Sequence, residues 1–349
     1  MIYDDICVSA DITARDAMKQ LNSTARGILL VVDDRKRLLA TITDGDIRRH
    51  ILRGGSLEEE AAHFFYTSPR VASDYRSARE LYDDRSYFAI PIVDEEGVLK
   101  DVYFGDSKQE KVYPQLGTPV VINAGGKGTR LEPYTKVLPK PLIPIGDYPI
   151  VEHIMREYRN YSCNDIHMIV NYKKDVMKAY FSDSDTDYGI TWHEEEKPLG
   201  TGGGLSLLKG VFSDSFFFSN CDILVKADYA GMLKFHKDNG NLITMICAYK
   251  TMSVPYGVID LGINGAINGM KEKPEYSFLT NTGMYILEPK VLDYIEDDTP
   301  VGFPDVVEQL RMMGEKVAAY PIRENDWYDM GQITELEEMR ARLYGRDNE

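Results

Sequence analysis

Beyond residue 119 the chain alternates short apolar runs, at 120–124, 167–171, 216–219 and 243–249, with helical stretches of ten or more residues. Strands alternating with helices predict an α/β fold with a mostly parallel sheet. The first hundred residues follow another pattern, and they follow it twice. Gly27-Ile-Leu-Leu-Val-Val-Asp33, a charged turn and Leu38-Leu-Ala-Thr-Ile-Thr-Asp-Gly-Asp46 match Ala89-Ile-Pro-Ile-Val-Asp94, a turn with Gly97 and Val98-Leu-Lys-Asp-Val-Tyr-Phe-Gly-Asp106. Leu39 and Leu99, like Asp46 and Asp106, stand 60 positions apart. Ahead of each copy lie apolar positions at helical spacing: Ala14, Ala17, Met18 and Leu21 behind Asp11 or Thr13, and Ala78, Leu81 and Tyr82 behind Ser73 or Asp74. Each copy is expected to run helix, strand, hairpin turn, strand, helix.

The stretch from Asp106 to Pro119, with two prolines, a glycine and no periodicity, predicts a boundary. The expected domains are 1–112, a linker at 113–118, and 119–349. Composition narrows the class. Forty basic residues against 56 acidic ones give a net charge of −16, which argues against nucleic acid and anionic membranes as partners. No window approaches the ~18 apolar residues of a membrane span, and the N-terminus lacks a basic region followed by an apolar core. Cys7, Cys163, Cys221 and Cys247 are far apart and form no CxxC pair. A cytoplasmic chain with free thiols is expected.

Residues 1–112 resemble a tandem pair of CBS domains, modules that bind purine nucleotides or mediate dimerisation. In Thr41-Ile-Thr-Asp-Gly-Asp46 the resemblance places the Thr43 hydroxyl and the Asp46 carboxylate at a helix start, on phosphate and ribose. A plainer reading makes both of them caps of the helix through Ile47 to Leu52. In the second copy Asp106 is kept, but Tyr103 stands where the hydroxyl belongs, so one cleft is expected to be degenerate. A purine nucleotide effector and a homo-oligomer are the implied partners.

The second region carries the chemistry. Val120-Val-Ile-Asn-Ala-Gly-Gly-Lys-Gly-Thr-Arg130 is an apolar strand that empties into a glycine-rich loop able to turn several N–H groups on a phosphate. It is neither GxGxxG nor GxxxxGK[ST]. Residues 118–144 hold Lys127, Arg130, Lys136 and Lys140 against Glu132 alone, a basic patch of net +3 in an acidic chain. A basic patch beside a backbone nest suits a polyphosphate.

The run from Gly125 through Lys140 to Ile145 is similar to the signature of the sugar nucleotidyltransferases. Further motifs follow in that family's order: Pro198-Leu-Gly-Thr-Gly-Gly-Gly204, Ser219-Asn-Cys-Asp222, Glu272-Lys-Pro274, Asn281-Thr-Gly-Met-Tyr285 and Trp327-Tyr-Asp329. The resemblance implies a Rossmann-like three-layer domain. In the family reaction a sugar 1-phosphate oxygen attacks the α-phosphorus of a nucleoside triphosphate and pyrophosphate leaves. No protein nucleophile is needed, so positioning and charge neutralisation do the catalysis.

By family position, the resemblance puts Ala124, Gly125, Gly126, Gly128 and Thr129 on the triphosphate, with Gly200 and Thr201 on the base or the sugar. Arg130 would hold the leaving phosphates and Lys140 would sit at the α-phosphate. Glu272, Lys273, Asn281 and Gly283 would take the sugar phosphate, and Asp222 and Asp329 would ligate Mg²⁺. The Pro-Leu-Gly-Thr form and the CBS pair resemble guanylyltransferases acting on mannose 1-phosphate, or on glucosamine 1-phosphate in nonulosonate and surface glycan synthesis. GTP with glucosamine 1-phosphate or another hexose 1-phosphate is therefore expected. A cytidylyl- or uridylyltransferase, and a non-catalytic nucleotide sensor, stay open.

Other positions have plainer expectations. Lys127 reads as a solvated loop lysine, and Glu194, Glu195 and Glu196 as a solvated strand end with at most one of them near the base. Asp305 is expected to cap a helix at 306–313. His153, His167, His193 and His236 fit no triad or ligand spacing, and Leu336, Met339 and Leu343 form a core or interface stripe. Three departures from the family pattern bear on base and sugar specificity: Asn123 before Ala-Gly-Gly, Cys221 before Asp222, and the triple glycine 202–204.

Overall fold

The computed structural model describes residues 3–24, 26–82, 89–105, 113–182 and 189–344. The chain divides into two compact units, Met1–Val112 and Tyr113–Glu349.

The first unit runs β1 (Cys7–Val8), α1 (Ala14–Thr24), β2 (Ile28–Val32), β3 (Leu38–Thr43), α2 (Asp44–Leu52), α3 (Tyr75–Tyr82), β4 (Ile90–Val93) and β5 (Leu99–Tyr103). Helix starts sit where hydroxyls and carboxylates can take the first free amides. Thr13 Oγ1 accepts from the Asp16 amide at 3.1 Å, and Asp74 Oδ1 accepts from the Ser77 amide at 2.8 Å. β2 lies parallel to β1 and antiparallel to β3, while β4 and β5 form the second hairpin. The two hairpin turns are stitched together by Leu38 N–H on Gly97 O and Leu99 N–H on Lys36 O. Leu21, Leu29, Leu30, Ile42 and Ile47 are buried in one core that also takes in Leu99 and Val102 of the second copy. Asp106, and the helix expected to close the second copy, lie outside the described residues.

The second unit continues β6 (Val120–Asn123), α4 (Tyr134–Val137), β7 (Pro144–Ile145), β8 (Tyr148–Pro149), α5 (Ile150–Asn160), β9 (Ile166–Val170), α6 (Lys174–Ser182), β10 (Ile190–Glu194), β11 (Phe216–Asn220) and β12 (Ile223–Val225). After these come α7 (Tyr229–Asn239), β13 (Ile243–Ser253), β14 (Val258–Leu261), β15 (Ile267–Lys271), β16 (Glu275–Leu287), α8 (Phe303–Met312), β17 (Val317–Arg323), β18 (Trp327–Asp329) and α9 (Ile333–Tyr344). Seven strands make one sheet in the order β10-β9-β6-β11-β16-β13-β17. Only β16 runs antiparallel to its neighbours, β11 and β13. Residues 113–118, expected as a linker, pack on this unit: Leu116 N–H donates to Tyr161 O at 2.8 Å, and Tyr113 meets the Tyr161 ring edge-on.

Alternate side chains of each central strand enter opposite cores, which is why these strands read as unbroken apolar runs. Phe217 faces one core with Tyr158, Met232 and Leu336; Phe216 and Phe218 face the other with Leu205, Leu292 and Phe303. Met339 is buried beside Leu336, with Leu343 packed against it, so that stripe is core. The layers bury the sheet and leave the carboxyl ends of β6, β9, β10 and β11 opening on one side. In parallel α/β sheets, ligands bind at those ends. No helix among the described residues is long and apolar enough to cross a membrane.

Candidate active site

A cavity of about 440 Å³ lies off these carboxyl ends, and Gly125, Gly128, Lys140, Gly200, Thr201 and Asp222 are among the residues lining it. Each arrives from a strand end: the glycine loop and Lys140 follow β6, the 200–201 turn follows β10, and Asp222 follows β11. Gly126 and Lys127 also face the cavity, so the lysine expected in solvent stands at the rim. Ala124 is buried beneath the loop, its amide donating to Ile169 O at 2.8 Å.

Lys140 Nζ donates to Asp222 Oδ2. Burial alone would lower the Lys140 ammonium, but the Asp222 carboxylate overrides it and holds the group above the ordinary lysine range. Asp329 comes from far along the chain. β18 pairs with β12 so that Asp329 is opposite Ile223, and Met330 N–H donates to Asp222 O at 2.9 Å. Burial, and then the Asp222 charge, push the Asp329 carboxyl up. Two carboxylates that destabilise one another beside a lysine make a site for added positive charge. Among the described residues no third His, Cys, Asp or Glu joins them.

Asn123 ties the two lining loops together. Its Nδ2 donates to Thr201 O at 3.3 Å, and its Oδ1 accepts from the Gly125 amide at 3.5 Å. The hydroxyl of Thr201 is engaged elsewhere, accepting from Phe303 N–H at 2.9 Å. α8 therefore begins at Phe303 behind Gly302, and Asp305 is a first-turn residue rather than the expected cap. The cap comes from across the fold because Gly302 has no side chain to give.

Sequence reasoning allowed one of Glu194, Glu195 and Glu196 near the base but did not single out Glu195. Glu194 is exposed and paired with Lys174 and Lys178, and Glu196 is exposed, as a solvated strand end requires. Glu195 between them is only 4% exposed and lines the cavity. Its Oε1 is buried without a hydrogen-bond partner, and burial raises the carboxyl to about 7. It sits between two glycines: a Cβ on Gly204 would fall 2.6 Å from Oε1, and one on Gly125 2.7 Å from Oε2. The third glycine of 202–204 thus makes room for a carboxyl group. Strand alternation was the signal, since the neighbours of a solvated strand residue point the other way.

Other expected residues stand apart from the cavity wall. Thr129 and Arg130 are exposed on the turn after Gly128. Glu272 and Lys273 are exposed in the connection from β15 to β16. Asn281 Nδ2 donates to Tyr285 Oη at 2.7 Å, and its Oδ1 accepts from Gly283 N–H at 3.0 Å.

In the first unit Thr43 and Asp46 form a capping box at the start of α2, and Asp46 also pairs with Arg49. They line a separate cleft of about 230 Å³ with Thr41, Arg49, Tyr66 and Arg70. Tyr103 is held edge-on by Tyr75 and Tyr82.

Residues 119–344 match the family model described as Nucleotidyl transferase, and residues 1–53 match that of the CBS domain. A mannose-1-phosphate guanyltransferase of Pichia angusta is 34% identical over 226 residues, which are 61% of this chain and 60% of that one. The mannose-1-phosphate guanylyltransferase catalytic subunit beta of Drosophila melanogaster is 30% identical over 227 residues, 62% of this chain and 60% of its own. The chain thus spans about 60% of the length of the curated relatives it matches. Among solved structures, HddC from Yersinia pseudotuberculosis superposes with a TM-score of 0.52 at 24% identity, over 64% of this chain and 99% of that one. That likeness is one of fold.

Proposed function

The chain belongs to the nucleotidyl transferase family, and on that premise we propose that it is a cytoplasmic enzyme joining GTP to a hexose 1-phosphate, with release of pyrophosphate. A phosphate oxygen of the sugar 1-phosphate attacks the α-phosphorus in line. The bond from that phosphorus to the bridging oxygen breaks, and its electron pair leaves with pyrophosphate. The observation that carries this reading is the meeting of Lys140 and Asp222 beside a glycine loop in one cavity, with Asp329 brought within reach of the Asp222 charge by the pairing of β18 with β12. The amides at 125–128 cradle the triphosphate, Lys140 offsets charge developing at the α-phosphate, and Arg130, exposed on the turn after Gly128, would have to swing towards the cavity to meet the leaving phosphates.

Asp222 and Asp329 fit a divalent cation. Two adjacent carboxylates give an oxygen-only set with positions left for phosphate oxygens and water, which suits Mg²⁺. When bound, it neutralises charge shared between the two anionic substrates.

Glu195 supports guanine. An ionised carboxylate accepts two N–H groups side by side, and of the common bases guanine offers them together, at N1 and the N2 amino group. Such a contact favours the ionised form and gives Oε1 its partner. Adenine, cytosine and uracil would each set a ring nitrogen or carbonyl acceptor against the carboxylate. For the sugar, the relatives' names support mannose 1-phosphate, and the fused CBS unit supports glucosamine 1-phosphate. The cleft of Thr43, Arg49 and Arg70 is proposed to take a purine nucleotide effector.

The test is pyrophosphate release with Mg²⁺, each of GTP, ATP, CTP, UTP and dTTP being offered with mannose, glucose, glucosamine and N-acetylglucosamine 1-phosphates. Release with GTP alone is expected. Release with UTP or dTTP alone would overturn the guanine reading, and silence with all five would overturn the reaction.

A further inference from the structure

The segment that carries the phosphate machinery has little of its own to hold it. From Gly125 to Lys140 it contains one 3-10 turn and the four-residue α4, and a helix that short is not stable by itself. Its carbonyls at the end of α4 converge on one side chain. Lys173 Nζ donates to Thr135 O at 3.2 Å, Lys136 O at 2.7 Å and Val137 O at 2.8 Å. An ammonium has three donors, and all three are used here on carbonyls at a helix C-terminus, where a cation is favoured. Lys173 belongs to the connection between β9 and α6, and its backbone holds φ +54°, a conformation that non-glycine residues seldom adopt.

Two more bonds run between the same segments. The Tyr172 amide donates to Gly125 O at 3.4 Å, and Tyr172 Oη to Thr135 O at 3.4 Å. Thr135 passes the tie on, since its hydroxyl donates to Gly128 O at 3.0 Å. Gly128 has φ +65°, and a Cβ there would lie 2.9 Å from Thr135 Cγ2 and 3.0 Å from Lys140 Cβ. The loop, α4 and Lys140 are therefore packed without slack around a point fixed by Lys173.

We propose that Lys173 is a positioning residue: it clamps the end of α4 and so sets the height of the Gly125–Gly128 amides and of Lys140 over the substrate phosphates. It touches no substrate. Its kinetic readout rests on the reaction proposed above, whereas its structural readout does not.

Lys173→Met keeps the length of the side chain and removes the donors. In the full chain, kcat should fall about 10- to 100-fold, the cost of misplacing catalytic groups by a fraction of an ångström to an ångström. KM for the sugar phosphate should stay within about threefold, and Lys173→Arg should restore most of the loss. Hydrogen exchange of the amides at 126–138 should quicken in Lys173→Met, with protection in β9 and β11 unchanged. A kcat within twofold of wild type, a loss explained wholly by a smaller folded fraction, or unaltered exchange at 126–138 would each overturn the proposal. If the wild-type chain released no pyrophosphate with any triphosphate, the reaction would fall, and the exchange measurement would still decide the clamp.

Discussion

Lys140 and Asp222 hold one another as an ion pair, each offsetting the other's charge. Removing either leaves the other half-buried and without its partner, and removes a preorganised charge from the reacting centre. Lys140→Ala and Asp222→Asn should each lower turnover by ~100-fold or more with the fold retained, as measured by pyrophosphate release alongside circular dichroism. Glu195 makes a prediction about pH. The folded chain keeps its proton up to about 7, while the unfolded chain releases it near 4.5, so between those values the folded state binds more protons. Stability from this group therefore falls as pH rises through that window. Glu195→Gln should be more stable than wild type at pH 8, by roughly 3 kcal/mol, and the two should converge near pH 4.5; urea unfolding at both values checks it. The charged signature residues were legible in the sequence because their types and order are distinctive. Glu195 was hidden in a run of three identical residues, where strand alternation alone separates the buried one from its neighbours.

Among elements, α8 shows how a helix start can be completed from elsewhere. Gly302 offers no side chain, and the Thr201 hydroxyl accepts the first amide from a segment about a hundred residues earlier in the chain that packs beside it. Thr201→Val should lower stability by about 1 kcal/mol in urea unfolding, and Thr201→Ser should not. An Asp in a first turn looks like a cap when only neighbours in sequence are considered, which is why Asp305 attracted that role. The strands β6, β9, β11 and β13 could be read from their apolar runs, since burial on both faces demands them. β18 could not. Three residues carry no period, and their partner β12 is set by tertiary pairing alone. The hairpin of β14 and β15 was equally unreadable, for all but one of its paired residues are exposed and no core imposes a pattern on it.

At the scale of the whole chain, the break between 112 and 113 coincides with a change from repeated hairpins to an alternating α/β pattern, and that change was visible in the residues. If the first unit's cleft takes a purine nucleotide, then AMP, GMP, ATP or GTP added to the full chain should raise the midpoint of the first unit's thermal transition, and Arg49→Ala should abolish the shift while leaving the other unit's transition in place. The order in which the chain is laid down adds a constraint of its own. The seven strands of the sheet are all complete by Arg323, yet the carboxylate that faces Asp222 arrives only with Trp327–Asp329. The scaffold and the glycine loop therefore form without any residue beyond Arg323, whereas the paired carboxylates do not. On the proposed reaction, a product cut short after Arg323 would retain the glycine loop without the second acidic group.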